Sequence, residues 1–416
     1  MGTIHIHGGI PLQGQVKIQG SKNAVLPVLA GMVLVEGSCL LRGCPRIADV
    51  YQMQTLLESL GCSVRWEDGS IRVDAGHVCS GDMPREAVTG MRSSLTLLGA
   101  VLGRCGQVLL EHPGGCVIGE RPIDLHIDAL QRMNVKFEQK GRLLHAWTDG
   151  LQGAEITLAF PSVGATENIV LAATLAEGCT LLHHPAREPE ITALCTFLRA
   201  CGARIRGDGT DCIYIEGVDR LHGTDFKIPG DRIVAGTYLL ACVAAGGSVF
   251  LEDAPVGELE ALLQAARGMG ACCQDTGRGL YVQAPGRAAA LDYLKTQVYP
   301  GFPTDLQSPL LAVLAGAEGE SVLEETVFEN RFRVVPELIR MGAKIRVKDE
   351  RTAYISGTRL RGAAVMAEEL RGGAALVVAG LGAQGETVIG GKIYIDRGYV
   401  NICRDLRELG ARIYSA

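Results

Sequence analysis

In six predicted helices, the first residue lies 14 or 15 residues before the glycine that ends the helix. The residues at that position are Lys22, Arg92, Val163, Arg232, Asp305 and Arg371. A helix N-terminus attracts anions through its free N–H groups and its dipole, so an added cation there is unfavourable for stability. Binding of an anionic ligand explains such cations; solvated charges at helix ends are the alternative. Asp305 is a carboxylate where four other starts hold cations, and we expect it to stay ionised and act as a base.

A glycine-rich loop presents one cysteine for chemistry. Gly114, Gly115 and Gly119 surround Cys116, and Arg121 follows five residues after the thiol. Such a loop makes burial of Cys116 less natural, and a nearby guanidinium stabilises a thiolate. The alternative is that Cys116 is a small buried hydrophobic residue. Loops at equivalent positions elsewhere in the chain also carry a guanidinium, at Arg46, Arg187, Arg331 and Arg397.

A sequence pattern that recurs along the chain predicts the elements that position these residues. An amphipathic helix ends in a residue suited to the left-handed conformation, and an alternating strand follows. Leu56–Gly61 followed by Cys62–Val64 is one example. The six cap residues are Gly61, Asn134, Gly202, Gly270, Gly342 and Gly410, separated by 73, 68, 68, 72 and 68 residues. This regularity predicts six copies of a unit of roughly 70 residues.

A second set of glycines has the same register and ends the small-residue helix of each unit. These are Gly37, Gly106, Gly178, Gly247, Gly319 and Gly385. Each unit is therefore predicted to contain a helix, a strand, a loop, a second helix and a strand pair. Alanine-rich helices such as the one through Ala172 and Ala173 are thin enough to pack inside a lobe. The fold class is α/β (α+β), with two lobes of three repeats each.

The chain termini complement each other in this register. The last repeat stops soon after Gly410, and Ile4–Gly8 matches the outgoing strand Ile213–Gly217 of the third repeat. We therefore expect residues 1–21 to complete the last repeat. Lobe one is predicted at 22–229, with the Cys116 loop, and lobe two at 1–21 plus 230–416. The two crossings between lobes suit a hinge that closes a cleft over anionic substrates.

Composition excludes several classes of function. A formal net charge of −6 argues against general nucleic-acid binding and against a basic membrane surface. The 14 cysteines form no C-x-x-C pair and no zinc-like cluster. The first residues carry neither a basic region nor an apolar run, so we expect no secretory signal and no membrane insertion. A reduced, cytoplasmic protein with mostly buried free thiols is predicted, and its oligomeric state is left open.

Seven motifs in this chain resemble UDP-N-acetylglucosamine 1-carboxyvinyltransferases, which are enolpyruvyl transferases of peptidoglycan precursor synthesis. The motifs are Gly20–Ala24, Pro113–Gly119, Arg121–His126, Ser162–Thr166, Phe302–Asp305, Glu325–Phe332 and Ile395–Tyr399. The resemblance runs nearly end to end. It implies a fold of two lobes, each of three inside-out α/β units, which agrees with the repeat count.

The resemblance implies transfer of the enolpyruvyl group of phosphoenolpyruvate to the 3′-hydroxyl of UDP-N-acetylglucosamine, with release of phosphate. The reaction passes through a tetrahedral ketal and uses no metal or organic cofactor. Cys116 would protonate the methylene carbon, and it can form a covalent adduct with phosphoenolpyruvate. Asp305 would accept the sugar hydroxyl proton, and Lys22 and Arg397 would stabilise developing charge.

The resemblance also implies two sets of binding residues. Phosphoenolpyruvate would contact Lys22, Asn23, Arg121, Arg371 and Arg397. UDP-N-acetylglucosamine would contact Asn23, Arg92, Arg121, Pro122, Ile123, Asp124, Leu125, Ser162, Val163, Gly164, Asp305, Val327 and Arg331. Several cations around such phosphates and carboxylates are physically reasonable on an acidic protein.

Three departures and two rival functions accompany this interpretation. Phe160 stands where some relatives have lysine, Glu369 replaces an aspartate, and Gly372-Gly373 is expected to loosen a helix start. The first rival is a shikimate 3-phosphate enolpyruvyl transferase, which shares the six-unit fold but lacks the Pro-Gly-Gly-Cys loop. The second is a non-catalytic paralogue that binds the nucleotide sugar. The presence of Cys116, Asp305, Lys22 and Arg397 together disfavours it.

Overall fold

The computed structural model of the chain describes residues 2–78, 95–111 and 123–416. These residues form two compact units, between which the chain passes at 19–20 and again at 229–230. The C-terminal unit comprises residues 2–19 and 230–416. The N-terminal unit comprises 20–78, 95–111 and 123–229.

Helices and short strands alternate along the N-terminal unit. Its helices are α1 (Lys22–Met32), α2 (Ala48–Ser59), α3 (Leu97–Cys105), α4 (Asp124–Arg132), α5 (Val163–Ala173) and α6 (Pro189–Ala200). Its strands are β3 (Ser38–Arg42), β4 (Ser63–Glu67), β5 (Ser70–Asp74), β6 (Gln107–Glu111), β7 (Lys136–Lys140), β8 (Leu143–Trp147), β9 (Glu155–Thr157), β10 (Cys179–His183), β11 (Arg204–Arg206), β12 (Cys212–Glu216) and β13 (Asp225–Lys227).

The C-terminal unit has the same alternation and includes the first two strands of the chain. Its strands are β1 (Ile4–Gly8), β2 (Leu12–Lys17), β14 (Gly247–Glu252), β15 (Cys272–Asp275), β16 (Gly279–Ala284), β17 (Tyr293–Lys295), β18 (Glu320–Glu324), β19 (Lys344–Lys348), β20 (Thr352–Ser356), β21 (Ala364–Met366), β22 (Gly385–Gly390) and β23 (Arg412–Ser415). Its helices are α7 (Arg232–Ala245), α8 (Glu260–Gly268), α9 (Gln307–Gly316), α10 (Val335–Arg340), α11 (Leu370–Gly382), α12 (Lys392–Ile395) and α13 (Ile402–Glu408). Short 3₁₀ turns cover Val256–Glu258, Thr304–Leu306 and Arg331–Val334.

One strand pattern recurs through both units. In five sheets, three strands pair antiparallel with one another, and a fourth strand pairs in parallel with an edge strand of these three. Their strand orders are β13-β3-β5-β4, β11-β12-β10-β9, β15-β16-β14-β2, β17-β18-β20-β19 and β21-β22-β1-β23. Among the described residues, the sheet β6-β8-β7 shows the three antiparallel strands of this pattern.

The N-terminal strands are divided between two sheets. β1 lies antiparallel between β22 and β23, with Ile4 opposite both Ile389 and Ser415. It occupies the place that β12 has in its own sheet, as the sequence match predicted. The expectation that all of residues 1–21 complete the last repeat was wrong, because β2 pairs in parallel with β14. Gly247 permits this pairing, since a Cβ there would lie 2.0 Å from the carbonyl oxygen of Leu12.

The predicted cap residues adopt the left-handed backbone conformation. Asn134 has φ of 70°, and the five glycines in the same role have φ between 85° and 104°. The turn at each cap provides hydrogen-bond donors for carbonyl groups at the end of the helix. For example, the Gly61 N–H donates to the Glu58 carbonyl over 3.1 Å. The glycines that precede the first strand of each repeat also have positive φ, from 72° at Gly106 to 126° at Gly37. The first set of caps is therefore confirmed. The second set was predicted to end the small-residue helices; among the described helices Gly106 alone does so, and the other five helices end two to five residues before their glycine.

The small-residue helices lie in the core of each unit. Thirteen residues of α7 are buried, and α7, α9 and α11 pack against one another. In the N-terminal unit α3 packs against both α1 and α5. The first helix ends earlier than predicted, at Met32, because Val33, Leu34 and Val35 turn with i−3 hydrogen bonds of 3.1 Å.

The cysteines of the described residues are all free thiols, and most of them are buried. Burial raises the pKa of Cys44 and of Cys62 to about 12. These thiols are therefore protonated near neutral pH and behave as small core residues, as the composition predicted.

Candidate active site

A carboxylate held by two buried guanidiniums is the central feature of the C-terminal unit. Asp305 lies in the 3₁₀ turn that leads into α9. Arg331 Nη2 donates to its Oδ1 over 2.8 Å, and Arg371 Nη2 donates to its Oδ2 over 2.6 Å. The Asp305 side chain is 24% exposed, whereas those of Arg331 and Arg371 are 3% and 8% exposed. The cations are thus inside the unit, and the carboxylate is the member that a ligand can reach.

Glu325 organises the loop that carries Arg331. Its side chain is fully buried, and its Oε2 accepts a hydrogen bond of 2.8 Å from the Thr304 hydroxyl. Its Oε1 accepts from the backbone N–H groups of Val327, at 2.8 Å, and Phe328, at 3.1 Å. Arg331 Nε in turn donates to Thr304 Oγ1 over 3.2 Å. One buried carboxylate therefore joins the turn of Asp305 to the predicted sugar-binding loop.

The charge of Arg371 is maintained despite its burial. Burial disfavours the charged form, but the Asp305 carboxylate and Tyr399 outweigh it and raise the pKa of this guanidinium. Burial also raises the pKa of Tyr399 to about 12, so its phenol stays protonated. That phenol lies 2.8 Å from the Thr237 hydroxyl.

The start of α11 is well formed, contrary to the expectation for Gly372-Gly373. Glu369 caps the helix by accepting hydrogen bonds from the backbone N–H groups of Arg371, at 2.7 Å, and Gly372. A Cβ on Gly372 would lie 2.6 Å from Glu369 Oε1, and one on Gly373 would lie 2.6 Å from Ile395 Cγ1. The two glycines therefore permit the close contacts that hold Arg371, and the expectation of a loosened start was wrong.

Arg397 lies in a segment that the N-terminal residues anchor. Gln19 Nε2 donates to the Gly398 carbonyl over 3.1 Å, and Gln19 Oε1 accepts from Val400 N–H over 2.8 Å. Arg397 itself is half-buried. The C-terminal unit thus contains Asp305, Val327, Arg331, Arg371 and Arg397 of the predicted site.

In the N-terminal unit, Lys22 forms a buried ion pair. It is the first residue of α1, and Ser21 caps the helix by accepting from Ala24 N–H over 3.2 Å. Lys22 Nζ lies 2.6 Å from Asp49 Oδ2, with the two side chains 13% and 4% exposed. Asn23 is half-buried beside it. The cation at this helix start is therefore balanced by a carboxylate from the first turn of α2.

The predicted nucleotide-binding segments begin two neighbouring helices. Asp124 and Leu125 open α4, and Val163 and Gly164 open α5. Ser162 caps α5 by accepting from Ala165 N–H over 3.3 Å. The helices α4 and α5 contact each other, which brings the described residues of 123–125 and 162–164 to one region of the unit. Phe160, just before this cap, is 46% exposed.

Four predicted site residues lie outside the described residues. They are Arg92, Cys116, Arg121 and Pro122. Their roles stay predictions.

Sequence reasoning assigned no role to several polar residues that support the site. Asp49 is one, since it contacts Lys22 through the fold and not through spacing in the sequence. Glu325 and His126 lie in motifs that carry the resemblance, where no role was assigned to them, and Glu369 was noted as the replacement of an aspartate.

Comparison with known proteins places this arrangement in a family. Residues 6–406 match the family model of EPSP synthase (3-phosphoshikimate 1-carboxyvinyltransferase). UDP-N-acetylglucosamine 1-carboxyvinyltransferase 2 of Caldanaerobacter subterraneus is 45% identical over 415 residues, covering 99% of both chains. The chain belongs to the UDP-N-acetylglucosamine 1-carboxyvinyltransferase family. A relative with the same family name from Oleidesulfovibrio alaskensis is 44% identical over 417 residues and covers 99% of both chains.

Two solved structures have the same fold as this chain. The enolpyruvyl transferase NikO from Streptomyces tendae has a TM-score of 0.89 at 24% identity, with 100% of this chain and 99% of that chain covered. EPSP synthase from Acinetobacter baumannii has a TM-score of 0.76 at 18% identity, with full coverage of both chains. At these identities the likeness concerns the fold alone, which is mixed α/β.

The described residues contain neither a cluster suited to a metal ion nor a helix suited to a membrane. Within residues 2–78, 95–111 and 123–416, no group of three or more His, Cys, Asp or Glu side chains could hold a metal ion. Over the same ranges, every helix is too short or too polar to cross a membrane.

Proposed function

We propose that this chain transfers the enolpyruvyl group of phosphoenolpyruvate to the 3′-hydroxyl of UDP-N-acetylglucosamine, with release of phosphate. The observation that carries the proposal is the placement of Asp305 between Arg331 and Arg371, at 2.8 and 2.6 Å. A carboxylate that two buried guanidiniums hold in one orientation is suited to accept a proton from a hydroxyl group. The family's full-length relatives carry the name of this activity.

The proposed addition step balances as follows. The sugar oxygen forms a bond to the second carbon of phosphoenolpyruvate while its proton goes to Asp305. The Cys116 thiol delivers a proton to the methylene carbon, which becomes a methyl group. The product of this step is a tetrahedral ketal that still carries the phosphate.

Elimination then completes the transfer. The carbon–oxygen bond to phosphate breaks while the Cys116 thiolate left by the addition step takes a proton from the methyl group, which restores the double bond. The departing phosphate takes up the proton that Asp305 accepted, so both side chains return to their starting states. Lys22 and Arg397 are suited to stabilise the departing phosphate, because ammonium and guanidinium groups form charge-assisted hydrogen bonds with phosphate oxygens. All protons in this route move between the substrates and side chains, so it requires no metal or organic cofactor. A covalent adduct of phosphoenolpyruvate on Cys116 is a side branch of the same chemistry.

The hydrogen-bonding capacity of Asp305 is compatible with this role. A carboxylate offers about four acceptor sites on its two oxygens. The two guanidiniums approach one oxygen each, at Oδ1 and Oδ2. They fix the orientation of the carboxylate toward the acceptor sugar, which is the form of preorganisation that lowers a barrier.

We also propose that six repeats of about 70 residues, three in each unit, build this fold. The positive φ angles of both sets of caps and the recurring sheet pattern support it. Five of the six predicted helix starts belong to the predicted site, namely Lys22, Arg92, Val163, Asp305 and Arg371.

Mass spectrometry of the nucleotide product tests the proposed function. Incubation with phosphoenolpyruvate and UDP-N-acetylglucosamine is expected to add one enolpyruvyl group in place of a hydrogen. Two-dimensional NMR of the product would locate the group, since substitution at the 3′-oxygen gives a three-bond correlation between the sugar proton on that carbon and the enol carbon. An unmodified nucleotide sugar after complete incubation would overturn the proposal.

A further inference from the structure

A buried amide joins three helices of the N-terminal unit. Asn168 on α5 is fully buried. Its Oδ1 accepts from the backbone N–H of Gly99 over 2.6 Å, which fixes the orientation of the amide. Its Nδ2 donates to the carbonyl of Leu95 over 3.0 Å, to that of Gly164 over 3.3 Å, and to His126 Nδ1 over 2.9 Å. One side chain thus connects the beginning of α3 with α4 and with the first turn of α5.

The amide determines the protonation state that His126 can adopt. Because Asn168 Nδ2 is a donor only, His126 Nδ1 must be the acceptor, and the ring proton lies on Nε2. The other edge of the ring faces Gly164, where a Cβ would lie 3.2 Å from His126 Cε1 and 3.4 Å from Nε2. His126 is 6% exposed, so the neutral imidazole is enclosed between the two helices.

The pair contacts both segments that are predicted to hold the nucleotide. His126 follows Asp124 and Leu125 in the first turn of α4, and Gly164 belongs to the predicted segment 162–164. We propose that His126 and Asn168 are positioning residues that hold these two segments at the separation required by the nucleoside diphosphate part of the acceptor substrate. This inference rests on the proposed function and extends it to residues that act through the binding segments.

The other predicted repeats indicate that the fold itself does not require an amide here. Asn168 lies five residues after the predicted helix start at Val163. The positions five residues after the other starts are Pro27, Leu97, Thr237, Leu310 and Leu376. Four of these five side chains are apolar, yet their helices are buried in the same way. A buried polar network must satisfy all its members to be tolerated, so its presence in one repeat needs a local reason.

Close packing makes the network sensitive to small changes. A Cβ on Gly99 would lie 2.2 Å from the backbone oxygen of Asn168, so α3 and α5 are in direct backbone contact at this level. Loss of the His126 acceptor leaves a buried N–H without that partner and allows α4 to shift relative to α5. A shift of these helix starts moves the backbone groups that would bind phosphate.

The test compares nucleotide binding by matched variants of the full chain. His126→Leu is expected to raise the Kd for UDP-N-acetylglucosamine, and for UDP alone, by on the order of tenfold. His126→Gln is expected to restore binding to within about threefold of the unchanged chain, because its amide oxygen can accept from Asn168. Thr174→Val serves as the control, since it removes a buried 2.8 Å hydrogen bond at the end of the same helix. The control is expected to leave the Kd unchanged. Calorimetric titration measures each Kd.

Turnover separates positioning from general destabilisation. His126→Leu is expected to raise the KM for the nucleotide sugar while kcat and the KM for phosphoenolpyruvate stay within about twofold. An unchanged Kd in His126→Leu, or an equal rise in Thr174→Val, would overturn the inference. A chain that binds UDP-N-acetylglucosamine but transfers nothing to it contradicts the proposed function, and the Kd values still decide the positioning role. A chain that binds neither nucleotide overturns both.

Discussion

Arg371 donates to Asp305 over 2.6 Å from a guanidinium that is almost completely buried. The pair links the second residue of α11 to the turn before α9, two elements 66 residues apart in sequence. Arg331 completes the arrangement from a third element, at 2.8 Å. This relationship gives the candidate site a fixed carboxylate.

Asp305→Asn is expected to reduce kcat by at least about 100-fold, because an amide cannot accept the hydroxyl proton. Binding of UDP-N-acetylglucosamine is expected to change less than turnover, since the amide keeps the size and one acceptor oxygen of the carboxylate. Steady-state kinetics and calorimetric titration of the same preparation check both values. Unchanged turnover would remove Asp305 as the base.

Arg371→Met is expected to destabilise the C-terminal unit by about 3 kcal/mol, because removing one member of a buried ion pair leaves the other insufficiently compensated. Urea unfolding, followed by far-ultraviolet circular dichroism, measures the change in the free energy of unfolding. The matched control is Arg42→Met, which breaks the exposed Arg42–Asp225 pair and is expected to change stability far less. Equal losses of unfolding free energy in the two variants would contradict a larger contribution from the buried pair than from the exposed pair.

The stability of the N-terminal unit is expected to depend on pH through the carboxyl group of Glu167. Burial raises the pKa of this carboxyl to about 8 from its ordinary value of 4.5, with a 3.3 Å hydrogen bond from Thr96 opposing the shift and Glu190 and Glu188 adding to it. The folded state therefore binds a proton that the unfolded state releases above its ordinary pKa. This contribution to stability is complete below about pH 4.5 and is lost as the pH rises toward 8.

Replacement of Glu167 by Gln checks that dependence. The free energy of unfolding of the unchanged chain is expected to fall across this interval with a slope of up to about 1.4 kcal/mol per pH unit from this group. Glu167→Gln is expected to flatten the slope, whereas Glu177→Gln, at an exposed site just beyond the same helix, retains it. A slope that Glu167→Gln leaves intact would assign it to other groups.

Cys116→Ala is expected to abolish transfer while leaving nucleotide-sugar binding nearly intact, because the thiol is proposed to act on phosphoenolpyruvate alone. We also expect fosfomycin, an electrophile, to add covalently to Cys116. Peptide mapping by mass spectrometry locates the adduct. An adduct on any other thiol contradicts the assignment of Cys116.

Features with local causes could be predicted from the sequence. The left-handed caps at Gly61 and Asn134 follow from residue type and the alternation that surrounds them. The same register predicted that Lys22 begins a helix and that the first strand joins the last sheet. These predictions succeed because caps and strand patterns depend on a few neighbouring residues.

Features that depend on side-chain packing could not be predicted in this way. The pairing of Lys22 with Asp49 joins two helices through space. The close contact of Gly373 with Ile395 reverses the expectation that glycines weaken the start of α11. The second N-terminal strand pairs with β14 because Gly247 lets the two backbones approach, which no repeat count reveals.

Phosphate release from phosphoenolpyruvate, measured with two acceptors in parallel, tests the central claim most directly. Release is expected to require UDP-N-acetylglucosamine, to stop when the acceptor is consumed, and to be absent with shikimate 3-phosphate. Asp305→Asn, assayed beside the unchanged chain, is expected to show little release with either acceptor. Release that depends on shikimate 3-phosphate, or that no acceptor stimulates, would contradict the account.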